Sequence, residues 1–445
     1  MATLYSTSRS LLALRCVGAR RIDPIRFQHP GRQQRESTED IAMPRRIETA
    51  QAAKLTDTGT RNIFTEEHDI FRRSVRRFFE EEVVPNQMKF EQQGYVDREI
   101  WEMMGAAGML GVAAPAEMGG VGADFKCAAI VSEEQGYAND AGTIGFKLHS
   151  DVIMPYIEEY GTSEQQQRYI PGMTNGKLIG CLAMTEPQAG SDLQGLKTTA
   201  KRDGDDWILN GTKTFITNGY VCDVALVAAI TDLNVKHKAH GMSLFLVDAN
   251  SPGFIKGKPL KKIGQNSGDT VELVFEDVRL PKEALLGGEE TLNKGFYLTM
   301  NQVPRERLIL SVGVQAHSEC MFEMTRDYVK QRKAFGRTLS NLQTIQHRLA
   351  EMKTELCVAR TFTDQCLQLY CENRLDTSSV SMLKYWISDI CFKVASECVQ
   401  LHGGMGYMWE HPIARGFASS KVYPIYTGSN EIMKELIARG ITAEK

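Results

Sequence analysis

Trp207-Ile208-Leu209-Asn210-Gly211-Thr212-Lys213-Thr214-Phe215-Ile216-Thr217 carries the plainest β signal in the chain. Residues 207–209 read as one strand and 214–217 as another, with Asn210-Gly211 as the turn between them. Asp203-Gly204 marks a turn just before. Short apolar runs at 224–230, 242–247, 254–255 and 271–275 continue the pattern between turn residues. They predict a small antiparallel sandwich or barrel over residues 179–290.

Both flanks read as helical. From Thr65, a fair N-cap, Phe71, Val75, Phe78 and Phe79 recur at helical spacing with Arg and Glu opposite, and Pro85 follows the expected end. Similar segments around 99–107, 127–137, 149–160 and 163–170 make residues 60–178 an all-α domain. After residue 293 long helical patterns at 293–330, 339–373, 376–402 and 428–439 predict a four-helix bundle over 293–445. The chain is therefore an α+β multidomain protein, with helices, a small β-domain and a bundle in that order.

Residues 1–35 hold seven arginines, several serines, no lysine and Asp23 as the only acid. That composition is that of a mitochondrial transit peptide, with a disordered basic tail as the lesser alternative, and residues 1–45 are expected to be transit peptide and leader. In the whole chain Lys plus Arg (52) nearly balances Asp plus Glu (55), for a net charge of −3. Such a balance argues against nucleic acid as a partner. No run approaches the roughly 18 apolar residues of a membrane span. Ten cysteines, with no CxxC pair and no zinc-like Cys/His spacing, argue against a metal or thiol enzyme.

Five stretches can carry chemistry. Thr185-Glu186-Pro187-Gln188-Ala189-Gly190-Ser191-Asp192 offers short polar groups on a loop, which either meet a ligand or cap an ordinary turn. Phe215 and Thr217 alternate onto one strand face, where a ring and a hydroxyl suit a flat ligand or a plain half-buried strand. Arg332, in Gln331-Arg332-Lys333-Ala334-Phe335-Gly336-Arg337, either clamps a phosphate or places charge at a helix end. Gln400-Leu401-His402-Gly403-Gly404-Met405-Gly406-Tyr407 lets backbone approach a ligand, although a lone His402 is more often a satisfied core residue. Pro304-Arg305-Glu306-Arg307-Leu308 lies in a long helix that Pro304 should bend or restart. Glu306 there is either a base beside an irregularity or an exposed ion pair.

In their joint order TEPQAGSD, KTFITNG, QRKAFGR, QLHGGMGY and YTGSNEI resemble the acyl-CoA dehydrogenase family, from about residue 60 onward. VKQRKAFG, CVQLHGGMGYMWEHPIA and NEIMKELIAR are most similar to its mitochondrial long-chain branch. The resemblance implies the same three-domain fold, non-covalent FAD and a homotetramer built as a dimer of dimers. Met184, Thr185, Phe215, Ile216 and Thr217 match positions around the flavin, and Ser191 a position shared with CoA. Arg332, Gln343, Gln400, Leu401, His402, Gly403 and Gly404 match the set serving the FAD of a neighbouring subunit. Ser429 and Glu431 match positions beside the cofactor. Tyr297, Pro304, Arg305, Arg307, Thr427 and Gly428 match substrate positions.

Two departures stand out. Gln188 replaces a usual glycine, and the family's Tyr-Glu-Gly turn reads Tyr426-Thr427-Gly428 here. In the long-chain and isovaleryl branches the base sits on a helix instead, and Glu306 matches it. The implied reaction is α,β-dehydrogenation of a long-chain fatty acyl-CoA to the trans-2-enoyl-CoA in the mitochondrial matrix, with electrons passed to electron-transfer flavoprotein. A branched-chain or isovaleryl-CoA dehydrogenase, or a catalytically silent flavin-bearing assembly partner, are the alternatives.

Overall fold

The computed structural model describes residues 47–48, 51–57, 61–138 and 145–442, so the expected leader lies outside the described residues. Helix α1 (Glu66–Phe78) starts where the sequence predicts, with the Thr65 N–H donating to Nδ1 of His68 at 3.1 Å. Val75 and Phe79 bury the apolar face. The chain does not stop before Pro85. It winds through a wide π turn at Phe79–Val83 and a tight turn at Val84–Asn86 into α2 (Gln87–Gln93). Pro85 fits because it opens that tight turn, where its missing N–H has no bond to lose.

Helices α3 (Arg98–Ala106) and α4 (Phe125–Tyr137) follow. Short α5 (Gly145–Lys147) runs through a π turn at Leu148–Ile153 into α6 (Met154–Tyr160), and α7 (Ser163–Thr174) completes the first helical region.

The β-region is one seven-stranded sheet. Its strands are β1 (Gly180–Ala183), β2 (Thr199–Asp203), β3 (Asp206–Thr217), β4 (Val224–Ile230), β5 (Met242–Asp248), β6 (Phe254–Lys256) and β7 (Thr270–Leu280). The order is β1-β4-β2-β3-β7-β6, with β5 paired to β4. Two expectations change. Asn210-Gly211 is no turn, because β3 runs straight through it. Gly211 instead sits at a register shift against β7, where a Cβ would stand 2.3 Å from the Thr198 hydroxyl oxygen. The sheet is also mixed, since β4 runs parallel to both β1 and β2. In sequence the β2–β3 hairpin intervenes between β1 and β4 and supplies the long crossover that these parallel neighbours need.

Strand β4 is buried along its whole length. Ala225, Val227 and Ala229 face the β core, while Val224, Leu226, Ala228 and Ile230 face Tyr156, Ile157 and Ile170 of the helical layer. This contact fixes α6 against the sheet.

The C-terminal region is built on α8 (Gly295–Gln331), which packs against α4, α9 (Gln343–Cys371) and α10 (Thr377–His402). A hairpin, β8 (Lys333–Ala334) and β9 (Arg337–Thr338), separates α8 from α9. Pro304 neither ends nor restarts α8, whose 37 residues run unbroken through it. Only one backbone bond is lost there, and packing on three sides outweighs it. Helix α11 (Pro412–Ser420) was not expected, and α12 (Asn430–Thr442) takes the place of the fourth predicted helix. Among the described residues no helix is long and apolar enough to cross a membrane.

Candidate active site

Glu306 sits on the part of α8 that faces α6. The Tyr156 hydroxyl donates to its Oε1 at 3.1 Å. Burial pushes the Glu306 carboxyl up to about 7, against the pull of that hydrogen bond and of the Arg307 charge. No exposed ion pair forms with the flanking arginines. Arg305 turns to Asp151 (3.7 Å) and lies over the Phe125 ring at 5.1 Å. Arg307 is buried, reaches Ser381 at 3.4 Å and leaves its Nε without a hydrogen-bond partner. Burial pulls Arg307 down to about 10.

The turn before α12 closes over Arg307. Thr427 and Gly428 both adopt left-handed backbone, at φ 54° and 86°. A Cβ at Gly428 would lie 2.6 Å from the Met433 methyl and 3.3 Å from Arg307 Nη2, so only glycine fits. Lys384, buried on α10, donates to the Gly428 carbonyl at 2.7 Å and to Asn430 Oδ1 at 3.1 Å. Burial, reinforced by Arg307, brings Lys384 down to about 7. The Thr427 N–H donates to no backbone acceptor among the described residues. Helix α8, helix α10 and the turn thus meet at Arg307 and Gly428.

A second group gathers where β1 ends. Lys213 forms a buried ion pair with Glu186 at 2.8 Å and donates to the Met184 carbonyl at 3.0 Å. The Thr214 N–H donates to the Thr185 carbonyl at 2.9 Å, tying the 184–186 loop to β3. Gln188 does not open the loop, because its amide bonds to Glu186 while Glu186 and Ala189 exchange backbone bonds at 2.9 and 3.0 Å. Asp192 caps the next turn through the Gln194 N–H, and Ser191 is exposed beside it. Phe215 is 67 % exposed at φ 58°. A bulky exposed side chain in that backbone region is strained, which suits a ring held out to meet a ligand. Ile216 points into the β core, leaving only its main chain for a ligand, and Thr217 returns to the Phe215 face.

The third group is a cavity of about 1030 Å³ where α8 ends, α9 begins and α10 ends. Arg332, Gln400, Leu401, His402, Gly403 and Gly404 line it, and Gln343 stands next to the lining Thr344. A Cβ at Gly403 or Gly404 would meet nothing, so this glycine turn presents open backbone. His402 is buried and largely satisfied, with Nδ1 2.9 Å from the Cys398 carbonyl oxygen and its ring 4.3 Å from the Tyr328 ring. Just beyond Arg332, Phe335 (φ 52°) and Gly336 (φ 75°) form the hairpin tip. Phe335 is 91 % exposed.

Glu306 stands on α8 and Arg332 caps the same helix's C-terminal end, 26 residues on. At 1.5 Å per residue that is about 39 Å. The first and third groups of one chain are therefore well separated. Tyr297 lies in the first turn of α8, half-exposed, with its ring stacked 6.0 Å from that of His240. Pro304 is partly buried two residues before Glu306. Ser429 opens α12 by accepting from the Ile432 N–H at 3.4 Å, and Glu431 is exposed in the same turn.

Three features were not anticipated from the sequence: Tyr156, Lys384 and Phe335. Lys384 had a signal, since it interrupts the apolar stripe of Val380, Leu383 and Ile387. Tyr156 had none, because its partner lies 150 residues away.

Family profiles for the acyl-CoA dehydrogenase N-terminal, middle and C-terminal domains match residues 65–177, 181–278 and 293–442. A mitochondrial long-chain specific acyl-CoA dehydrogenase of Sus scrofa is 57 % identical over 400 residues, covering 90 % of this chain and 92 % of that one. A mitochondrial isovaleryl-CoA dehydrogenase of Pongo abelii is more distant, 32 % identical over 86 % of this chain and 90 % of its own. The crystal structure of an acyl-CoA dehydrogenase from Geobacillus kaustophilus is 43 % identical with a TM-score of 0.83, covering 86 % of this chain and 99 % of that chain. A glutaryl-CoA dehydrogenase from Mycobacterium smegmatis in complex with FADH2 is 28 % identical with a TM-score of 0.80, covering 86 % of this chain and 96 % of that one. Three profiles in sequence order, on a fold shared with solved members, place this chain in the acyl-CoA dehydrogenase family.

Proposed function

We propose that this protein is a mitochondrial oxidoreductase that converts long-chain fatty acyl-CoA to trans-2-enoyl-CoA, with FAD as cofactor. The carrying observation is a carboxyl poised near neutral pH, Glu306, close to a turn with an unspent backbone N–H. The α-hydrogen of a thioester is a very weak acid, so its removal needs a nearby base and a donor for the carbonyl oxygen that gains charge. Glu306 takes the proton. The Thr427 N–H, held by the Lys384–Gly428 bond, faces the developing oxyanion. That role belongs to the backbone, so a threonine serves where related chains have glutamate.

The residues present suit a flavin dinucleotide. Phe215, strained and exposed, offers a face to a flat ring, and the open Gly403-Gly404 turn beside Arg332 offers backbone and a guanidinium to a phosphate-bearing chain. Bound FAD supplies hydride acceptance from the β-carbon and a route for the electrons to electron-transfer flavoprotein. Because Arg332 stands about 39 Å along α8 from Glu306, its cavity serves the flavin of a second copy. A cavity set that far from the base supports a homotetramer built as a dimer of dimers, and the mitochondrial relatives support a place in the matrix. Exposed Phe335, at the tip of the hairpin that follows Arg332, fits a covered surface.

Anaerobic mixing of the purified protein with palmitoyl-CoA tests the reading. Loss of the oxidised flavin's visible absorbance within one turnover is expected. An unchanged spectrum would leave a silent flavin-bearing scaffold as the better description.

A further inference from the structure

The Tyr156 hydroxyl reaches one oxygen of Glu306 and leaves the other free. Its donation to Oε1 spans 3.1 Å. Among the described residues nothing donates to Oε2, and that atom is not among the enclosed polar atoms lacking a partner. Oε2 therefore retains open surface. Tyr156 itself is 0 % exposed, wedged between α8 and β4, with its ring 6.2 Å from that of Tyr160. Its position is set by the sheet, so Glu306 is held by an element outside its own helix.

The proton on this hydroxyl is committed to Glu306. Thr299, which also faces it, already donates its own proton to the Gly295 carbonyl at 2.9 Å. Burial next to the Glu306 charge keeps the phenol protonated far above the usual range. Tyr156 is thus a permanent donor, with no capacity to act as a base.

We infer that Tyr156 is a positioning residue for the proposed base: it fixes Oε1 of Glu306, so that Oε2 alone is presented to the substrate α-carbon in an ionised carboxylate. This rests on Glu306 being the base. The terminal torsion of a glutamate is broad and roughly two-fold, so an untied carboxylate samples many headings. A single hydrogen bond to one oxygen removes most of them. The same bond favours the charged form against the burial that opposes it.

Other charges near Glu306 do not duplicate this. On α8, Arg307 attracts it but bonds to Ser381, and Arg305 is turned to Asp151. Lys384 on α10 lies behind Arg307 and is committed to the 428–430 turn. Glu158 on α6 and Asp151 also titrate near neutrality, raised by burial to about 7 and about 6, so they must be separated from Glu306 by experiment.

The test is the pH profile of single-turnover flavin reduction in the FAD-loaded enzyme. In wild type the rate falls as pH drops through the Glu306 value. In Tyr156→Phe that acid limb should move up by about one pH unit, the size of one hydrogen bond to a charged acceptor. The plateau rate should fall while KM stays near wild type. Tyr160→Phe, in the same helix and without a bond to Glu306, should leave the limb in place. A fluorinated tyrosine at position 156, a stronger donor, should shift the limb the opposite way, which keeps the test decisive if the Phe variant fails to fold. A wild-type limb and plateau in both Tyr156 variants overturns the inference. Failure of the underlying reading looks different, since Glu306→Gln would then remain active.

Discussion

Helix α8 carries two clusters of buried charge, and they are built in opposite ways. Toward its C-terminal half, Glu319 joins a network of matched ions. Arg360 Nη2 meets Glu319 at 2.6 Å, while Arg61 meets Glu133 at 2.7 Å and Asp364 at 2.8 Å. Arg72 meets Glu133 at 2.6 Å, and Arg61 also lies over the Phe64 ring at 4.7 Å. Although burial alone would raise it, three arginines hold the Glu133 carboxyl well below the usual carboxylate range. Nearer the N-terminal end, half-buried Glu306 and buried Arg307 and Lys384 have too few opposite partners. Burial brings them to about 7, 10 and 7. Matched burial locks a charge in place and fastens α4, α8 and α9 together. Mismatched burial leaves a charge free to change near neutral pH, which is what proton transfer requires.

The strongest way to break this comparison is to remove the poised charge. Glu306→Gln should lower turnover by at least ~10²–10⁴-fold while the protein folds and keeps its flavin. Near-normal turnover would exclude Glu306 from the role. Stability should move the other way. The folded value of Glu306 lies above its ordinary one, so between those two values only the folded state holds the proton, and stability falls as pH rises. Glu306→Gln should flatten that slope in unfolding midpoints taken from pH 5 to pH 8.

Breaking the matched network should give the reverse pattern. Arg360→Met leaves Glu133 and Glu319 buried with fewer partners, a loss of about 3–5 kcal/mol by the usual penalty for an orphaned buried charge. Thermal or urea unfolding should read that loss clearly. Activity per folded, flavin-bearing molecule should stay within about twofold. A large catalytic defect without destabilisation would mean the network is part of the site.

Lys384→Met sits between these cases. It removes the donor to the Gly428 carbonyl, so the Thr427–Gly428 turn loses its anchor while a costly buried cation disappears. Unfolding midpoints should change little or rise. A displacement of about 1 Å at the turn costs up to about 10²-fold in a positioned reaction, so turnover should fall by about tenfold to 10²-fold. Unchanged turnover would separate the turn from catalysis.

The order of helices, sheet and helices was legible because periodicity is local. Residue patterns near Thr65 and along β4 carry their own burial. Gly211 misled because Asn-Gly marks a turn in isolation, whereas here the glycine relieves a clash with Thr198, just before the neighbouring strand. Pro304 misled for a related reason, since packing around α8 outweighs one lost bond. At the site, Glu306, Thr427 and the Arg332 group could be named from motif order. Whether Glu306 is buried or exposed could not be read from its two flanking arginines. The answer depends on Tyr156, Asp151 and Ser381, all brought in from other helices.

The smallest expected effect sharpens the comparison most, because it asks whether the mismatched site can take its carboxylate from another backbone position. Arg307 links Glu306 on α8 to the turn that holds Thr427, since it lies against Gly428 and neighbours Glu306 in sequence. If both face the substrate α-carbon, Glu306→Thr combined with Thr427→Glu should regain part of the activity lost in Glu306→Thr alone. Left-handed backbone at position 427 already tolerates a non-glycine side chain, so the new glutamate adds little strain. Recovery should be incomplete, because the new tether shifts the carboxylate and loses the Tyr156 hydrogen bond. The acyl preference should move as well, since the two tethers occupy different parts of the pocket. Turnover on C8, C12 and C16 acyl-CoA substrates reads both effects. Activity no better than Glu306→Thr on every length would mean that Thr427 meets the substrate only through its backbone, and that the site accepts its base from α8 alone.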